Sequence, residues 1–79
     1  MSMRARLDPL LAEVLGRDVG GAAPDTPLFG GGLGLDSLTG MRLLAAIDRE
    51  FGVDVARDDF ALDCLESIDT LTRYLAARV

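Results

Sequence analysis

Apolar side chains recur at helical spacing in three segments of the chain. The stripe near the N-terminus consists of Leu7, Leu10, Leu11, Val14 and Leu15. The stripe in the middle consists of Gly40, Leu43, Leu44, Ile47 and Phe51. The stripe near the C-terminus consists of Ile68, Leu71, Thr72, Leu75 and Val79, with Tyr74 at its border. Because residues three, four and seven positions apart share one face of an α-helix, these patterns predict three amphipathic helices.

The residues at the start of the first two helices match known capping preferences. Asp8 is predicted to cap the first helix with Pro9 in its first turn, where the missing N–H of proline costs nothing. On this interpretation residues 1–6 are frayed. The second helix starts near Asp36 and Ser37, and either side chain can accept a hydrogen bond from an unpaired N–H of the first turn. The sequence leaves open which of the two is the cap.

Between the first two helices, the segment from Arg17 to Gly34 shows no helical period. Its glycines and prolines predict a loop. A loop of this length inside a small domain needs anchoring contacts. The apolar residues that could supply them are Val19, Leu28, Phe29 and Leu33. Gly40 is unusual inside a helix, and it would let the loop or a bound chain approach the helix backbone closely.

The segment after Gly52 alternates too briefly to build a sheet. It predicts an extended entry to a short third helix near Arg57 to Leu62, with Val55, Phe60 and Leu62 turned inward. Ser67 is a good cap for the last helix. The whole chain, residues 1–79, is therefore predicted to be a single all-α domain. Its architecture is a small four-helix bundle with a long loop between helices 1 and 2 and a short helix 3.

Composition narrows the possible partners and location. The chain has a formal charge of −5 and contains no histidine, which argues against nucleic acid because binding a phosphate backbone requires a basic face. An acidic surface instead favours partners with basic patches. No apolar run approaches membrane-spanning length, and no leader-like pattern is evident. We therefore expect a monomeric cytoplasmic protein that does not interact with membranes.

Candidate catalytic chemistry is sparse. With neither histidine nor lysine, the chain lacks the usual base for a serine nucleophile and the lysine of a phosphate-binding Walker loop. No calcium loop or other metal site is evident. Cys64 is predicted to be a small apolar core residue. The sequence therefore predicts no catalytic residue, no metal and no enzymatic activity.

One motif gives the chain a family resemblance. Gly34-Leu35-Asp36-Ser37-Leu38, followed by an amphipathic helix that ends in Glu50-Phe51-Gly52-Val53, closely resembles the acyl carrier proteins. The likeness extends from about Leu7 to the C-terminus and includes the peptidyl carrier proteins. Members of this family carry 4′-phosphopantetheine on the serine that follows the Asp. The resemblance therefore implies a discrete carrier of acyl-carrier fold that receives this arm from coenzyme A at Ser37.

The resemblance also suggests partners and the residues that meet them. It implies a phosphopantetheinyl transferase that recognises Asp36, a loading ligase or adenylation enzyme, and ketosynthase, condensation or other tailoring enzymes. Leu38, Met41 and Ala45 fall opposite the core stripe of the second helix and suggest a docking strip. The full set of predicted docking residues is Leu35, Leu38, Met41, Arg42, Ala45 and Asp59. Asp59 belongs to an acidic run from Glu50 to Asp69. Such a run is also typical of an ordinary solvent-exposed face with no docking role.

Departures from the family pattern bear on the pathway. Thr39 and Arg42 stand where carriers of fatty-acid synthesis generally have acidic residues. We therefore expect a carrier for a specialised polyketide, peptide or hybrid pathway, with a housekeeping fatty-acid carrier as the alternative. The residues before Ser37 look more like those of acyl than of peptidyl carriers, and aminoacyl cargo stays open. A different class of function, an unmodified helical module that binds partners through Leu38, Met41 and Ala45, is the second alternative.

Overall fold

The structure is a computed structural model that describes residues 2–57 and 61–79, with the backbone alone described at residues 61 and 62. Its elements are α1 (Met3–Leu15), α2 (Ser37–Phe51), a 3₁₀ turn (Val55–Arg57), α3 (Ala61–Cys64) and α4 (Ile68–Arg78). Two isolated β-bridges occur, but this part of the chain forms no strand. The predicted all-α bundle of three longer helices and one short helix is confirmed.

The predicted apolar stripes form one core between α1, α2 and α4. Its buried residues are Leu7, Leu10, Leu11, Val19, Leu28, Leu33, Leu35, Leu43, Ala46, Ile47, Val55, Cys64, Ile68, Leu71 and Leu75. Each fully buried leucine or isoleucine contributes about 1.5–3 kcal/mol relative to exposure. Two positions differ from the prediction. Ala46 is buried although it was not assigned to the stripe, and Val79 is 55% exposed just beyond the end of α4.

The predicted start of α1 is wrong. Ser2, not Asp8, is the N-cap, and its Oγ accepts a hydrogen bond from the Ala5 N–H at 3.1 Å. Pro9 consequently lies inside the helix, where it cannot donate to the carbonyl of Ala5. Because Ala5 and Pro9 are both exposed, water can bond to that carbonyl in place of the missing N–H. Residues 3–6 are therefore helical, which contradicts the expectation that residues 1–6 are frayed.

Arg4 explains why the first turn of α1 is ordered. Its guanidinium forms an ion pair with Asp8 at 2.6 Å. It also donates to the carbonyl oxygens of Val19 at 3.2 Å and Ala22 at 2.9 Å, both in the following loop. These contacts join the N-terminal turn to residues that are distant in sequence. Capping rules applied to the N-terminal segment alone could not have predicted them.

The loop at residues 16–36 is fixed to the N-terminus of α4. The N–H of Ile68 donates to the carbonyl of Thr26 at 3.1 Å, and the N–H of Asp69 donates to the carbonyl of Pro24 at 2.8 Å. The first N–H groups of a helix have no partner within the helix, so the loop supplies the acceptors that they need. The loop is therefore part of the packed structure.

Further hydrogen bonds hold the second half of the loop. The N–H of Leu33 donates to Pro27 at 2.8 Å, and the N–H of Leu35 donates to Leu28 at 3.0 Å. Arg17, just beyond α1, donates from its guanidinium to the carbonyl of Leu33 at 2.7 Å. With Leu28, Leu33 and Leu35 all buried, the chain arrives at α2 along a fixed path.

Gly40 meets the loop through the ring of Phe29. A Cβ added at Gly40 would lie 3.1 Å from Cε1 of Phe29, which is closer than ordinary contacts. The glycine in the interior of α2 therefore makes room for this ring, as the sequence suggested. Phe29 is 39% exposed and covers the helix from the loop side.

The described residues between α2 and α4 include the 3₁₀ turn and α3. The predicted third helix near Arg57 to Leu62 overlaps the end of the 3₁₀ turn and the start of α3, and Val55 points inward with 1% exposure. Phe60 and Leu62 were also predicted to turn inward, but their side chains are outside the part of the chain that the structure describes. Cys64 is buried, as predicted. No helix in the described ranges has the length and apolarity required to cross a membrane.

Gly32 offers a test of the loop packing. A Cβ at Gly32 would lie 1.9 Å from the carbonyl oxygen of Pro27, so Gly32→Ala must displace backbone and weaken the bond from Leu33 to Pro27. We expect this substitution to lower the free energy of unfolding by about 1–3 kcal/mol, the usual cost of overpacking. Equilibrium urea denaturation measures this difference.

Gly31→Ala is the matched control, because a Cβ there has nothing within 4 Å. We expect it to change the free energy of unfolding by less than about 0.5 kcal/mol. Equal effects of the two substitutions would contradict the loop geometry described above.

Candidate functional site

The site is organised by the cap of α2. Asp36 is the N-cap residue, and its Oδ1 accepts a hydrogen bond from the Thr39 N–H at 2.8 Å. In return, the Asp36 N–H donates to Oγ1 of Thr39 at 3.2 Å, which completes a capping box. The Thr39 hydroxyl also donates to Oδ1 of Asp36. The structure thus answers the question that the sequence left open: Asp36 is the cap, and Ser37 is the first residue of the helix.

The hydroxyl of Ser37 differs from those of the other two serines in the chain. Ser2 and Ser67 both use their Oγ atoms as helix caps, accepting from Ala5 at 3.1 Å and from Thr70 at 3.2 Å. Ser37 is exposed, and its Oγ forms no hydrogen bond with the described part of the chain. Its hydroxyl is therefore accessible to a reagent from solution.

Asp36 is held in its charged form. The Thr39 hydroxyl, followed by the Thr39 N–H, lowers the pKa of the Asp36 carboxyl below its ordinary value of 3.8. A carboxylate is also favoured at the positive end of a helix dipole. A group with such a low pKa is a poor base at neutral pH, so Asp36 is badly suited to deprotonate Ser37. The site can receive a group on Ser37, but it does not supply a base for the transfer.

The predicted docking strip lies on the exposed side of α2. Leu38 is 61% exposed, Met41 is 68% exposed and Ala45 is also exposed. The strip starts at the residue after Ser37 and runs along the helix away from it. Large apolar side chains at this exposure occur singly on most surfaces, but here they lie in line beside the candidate site. Asp59, the remaining acidic docking residue predicted from the sequence, lies outside the described residues.

Leu35 is not part of this strip. It was predicted to contact partners, but its side chain is only 3% exposed and belongs to the core. The bridge between Phe29 and Leu35 and the hydrogen bond from Leu35 to Leu28 turn this residue inward. The sequence-based prediction for Leu35 must therefore be corrected to a core role. Its proximity to Ser37 in the sequence gave no information on its orientation.

Arg42 borders a groove between α1 and α2. The groove has a volume of about 420 Å³ and is lined by Glu13, Val14, Arg42, Ala45, Ala46 and Arg49. Arg49 is neutralised in part by Glu13, at 3.0 Å, and by Glu50, at 3.3 Å. Arg42 is exposed and forms no ion pair with the described residues. It therefore places an uncompensated positive charge beside the docking strip of an otherwise acidic protein.

Sequence reasoning missed two residues that shape the site. The role of Thr39 could have been found, because Asp36 and Thr39 have the three-residue spacing of a capping box. Arg17 could not have been found in this way, because its hydrogen bond to Leu33 joins residues that are 16 apart in the sequence. No cluster of three or more His, Cys, Asp or Glu side chains suited to a metal is present in the described ranges.

Comparison with known proteins identifies one family. A family model described as a phosphopantetheine attachment site matches residues 5–75, which include α1 from Ala5 onward, the loop, all of α2 and the greater part of α4. The matched range therefore contains Asp36, Ser37 and Thr39. Comparison with curated proteins gives no significant match. Comparison with solved structures likewise gives none.

The cap of α2 predicts a defined pH dependence. Because folding lowers the pKa of Asp36 below 3.8, its charge stabilises the folded protein fully above pH 3.8, the unfolded value. That stabilisation is lost as the pH falls through the pKa of the folded state. We therefore expect wild type to be more stable than Asp36→Asn at neutral pH and the difference to shrink in acid.

Urea denaturation of both proteins at a series of pH values measures this difference. Asparagine is also a good N-cap, so the comparison isolates the charge of Asp36 from its role as an acceptor. A difference in stability that stayed constant as the pH fell would contradict the assignment of a lowered pKa.

Proposed function

This chain belongs to the phosphopantetheine attachment family, a family of carriers with covalently attached 4′-phosphopantetheine, and we propose that Ser37 holds this group through Oγ. The observation that carries the proposal is the state of the three serine hydroxyls. The Oγ atoms of Ser2 and Ser67 act as caps, whereas Ser37 is exposed and its Oγ forms no hydrogen bond with the described residues. Asp36 performs the capping in α2 and so leaves the serine available.

The position of Ser37 suits a phosphodiester. It is the first residue of α2, where the positive end of the helix dipole and unpaired N–H groups favour negative charge. The first turn of α2 contains no acidic side chain that would oppose a phosphate from within the helix. When attached, the arm ends in a thiol that can hold a cargo as a thioester. The chain itself has to present that arm and contact the enzymes that use it.

Loading requires an external enzyme. A phosphopantetheinyl transferase would join Ser37 Oγ to the phosphorus of the arm and break the bond that links this phosphorus to the nucleotide part of coenzyme A. The released product is adenosine 3′,5′-bisphosphate, and the serine proton passes to the transferase. Neither histidine nor lysine is present in the chain, and the low pKa of Asp36 makes it a poor base, so the transferase must provide the base. Asp36 serves as a charged feature that the transferase recognises.

The exposed side of α2 is the proposed contact surface for partner enzymes. Leu38 and Met41 offer apolar area next to Ser37, where an enzyme that acts on the arm must approach. Arg42 and Ala45 continue this surface into the groove between α1 and α2. The partners that we propose for this surface are a loading ligase or adenylation enzyme, together with ketosynthase, condensation or other tailoring enzymes.

We assign the carrier to a specialised polyketide, peptide or hybrid pathway. The support is Arg42, which is exposed on the docking side of α2 and forms no ion pair with the described residues, together with the absence of acidic residues from the first turn. A partner with only basic residues at this position would be repelled by Arg42, since like charges placed opposite one another cost affinity. A housekeeping carrier of fatty-acid synthesis is the alternative. The cargo is an acyl or aminoacyl group.

Attachment at Ser37 has a direct test. Wild type, Ser37→Ala and Ser2→Ala are incubated with coenzyme A and a promiscuous phosphopantetheinyl transferase, and the intact mass of each is recorded. We expect wild type and Ser2→Ala to gain the mass of one arm and Ser37→Ala to gain none. The Ser2 variant is the matched control because it loses a hydroxyl that already acts as a cap.

Two results would contradict the proposal. A gain of one arm on Ser37→Ala would place the attachment elsewhere. A wild type that gained nothing from any transferase would favour an unmodified helical module that binds partners through Leu38, Met41 and Ala45.

The pathway proposal predicts a specific effect of charge at Arg42. For the partner enzyme that uses the loaded carrier, we expect Arg42→Glu to raise the KM for the carrier by roughly tenfold and to leave kcat nearly unchanged. Arg73→Glu on α4 changes the net charge by the same amount at a position outside the docking surface, and it should have little effect. Steady-state transfer assays measure both constants. An unchanged KM for Arg42→Glu would count against a docking role for this residue.

A further inference from the structure

We propose that Thr39 is a positioning residue for loading, because its hydroxyl fixes the Asp36 carboxylate in the orientation that a phosphopantetheinyl transferase recognises beside Ser37. This inference rests on the proposed attachment at Ser37. It adds a residue for which the family resemblance implies no role. Thr39 itself need not contact the transferase, since it acts through Asp36.

The hydrogen bonds of the site support a positioning role. The backbone N–H and the hydroxyl of Thr39 both donate to the same carboxylate oxygen, Oδ1 of Asp36. The Thr39 hydroxyl accepts from the Asp36 N–H at 3.2 Å, so one side chain holds both the backbone and the carboxylate of Asp36. The two bonds that Thr39 donates both end on Oδ1, and Oδ2 receives no hydrogen bond from the described residues. The second oxygen is therefore left for a group outside the chain.

The exposure of Asp36 makes this orientation important. Asp36 is exposed, so packing against the core does not restrain its side chain. A single N–H bond would still permit the carboxylate to rotate, whereas the additional hydroxyl bond restrains it further. A carboxylate that is already oriented loses less conformational freedom when a partner binds it. Loss of the Thr39 hydroxyl should therefore weaken recognition and leave the transfer step intact.

The second capping box of the chain shows what a purely structural arrangement looks like. In α4, the Thr70 hydroxyl accepts from the Ser67 N–H at 2.9 Å and donates to the carbonyl of Cys64 at 2.8 Å. Ser67 is buried, and the loop covers that end of α4. The box at Asp36 and Thr39 makes no such contact outside its own turn within the described residues, and it faces solvent. The two boxes therefore provide a comparison inside one molecule.

The test measures loading kinetics of Thr39→Val, Thr39→Ser and Thr70→Val with a promiscuous transferase and saturating coenzyme A. Valine keeps the shape of threonine without its hydroxyl, and serine keeps the hydroxyl. We expect Thr39→Val to raise the KM for the carrier by roughly threefold to tenfold with kcat changed by less than about twofold. Thr39→Ser should retain the wild-type KM. Thr70→Val should also retain it, although that variant loses stability.

A second readout does not depend on loading. In a carboxyl-carbon NMR titration, Thr39→Val should raise the pKa of Asp36 toward its ordinary value, since the hydroxyl is the largest cause of its lowering. Thr39→Ser should leave that pKa low. The two readouts together separate a carboxylate that has lost its restraint from a helix that has merely become less stable.

The outcomes distinguish this inference from the function on which it rests. If wild type is loaded and Thr39→Val shows an unchanged KM, a fall in kcat alone or an unchanged pKa of Asp36, the inference is overturned while the carrier function stands. The same holds if Thr39→Ser or Thr70→Val raises the KM as much as Thr39→Val does. If wild type is not loaded at all, attachment at Ser37 fails and the inference fails with it.

Discussion

The structure depends on the pairing between the loop carbonyls and the first N–H groups of α4. Ile68 and Asp69 donate to Thr26 and Pro24, so the loop supplies hydrogen-bond acceptors to the first turn of the last helix. An unpaired N–H buried in this region would cost about 1–3 kcal/mol, and the loop backbone would carry similar costs if it packed without partners. Each segment therefore satisfies the polar groups of the other. This pairing makes a long connection with no helix of its own compatible with a small, well-packed domain.

The same loop explains why the two helix N-termini that carry capping boxes differ in accessibility. At α4 the loop covers the N-terminus and Ser67 is the cap, so neither the serine nor the first N–H groups are accessible. At α2 the loop ends with the buried Leu35, and the next residue, Asp36, is the cap. Ser37 therefore lies one residue beyond the cap, on the surface. A one-residue difference in the position of the serine relative to the cap thus separates a structural hydroxyl from an exposed one that forms no hydrogen bond with the described residues.

Local patterns in the sequence predicted the helices and the capping of α4, because helical periodicity and first-turn capping act within a few residues. The errors arose where distant contacts decide the outcome. Pro9 suggested that α1 starts late, yet Arg4 holds the first turn through carbonyls that lie 15 and 18 residues away. Leu35 was assigned to the surface because it adjoins the Ser37 motif, and a bridge to the loop turned it inward. The resemblance to carrier proteins predicted the serine itself. Only the structure shows that its hydroxyl is exposed and forms no hydrogen bond with the described residues.

The features that would set partner choice lie outside the core that sets the fold. Leu43 and Ile47 on the inner face of α2 are almost fully buried, and truncating such residues costs about 2–5 kcal/mol. Met41 and Arg42 on the outer face are exposed, and surface substitutions usually change stability by no more than about 0.5 kcal/mol. One helix can therefore keep its inner face while its outer face changes charge and shape. This separation explains how a fold shared across a family of carriers is compatible with a positive charge at Arg42, the residue that we propose to influence the choice of partner enzymes.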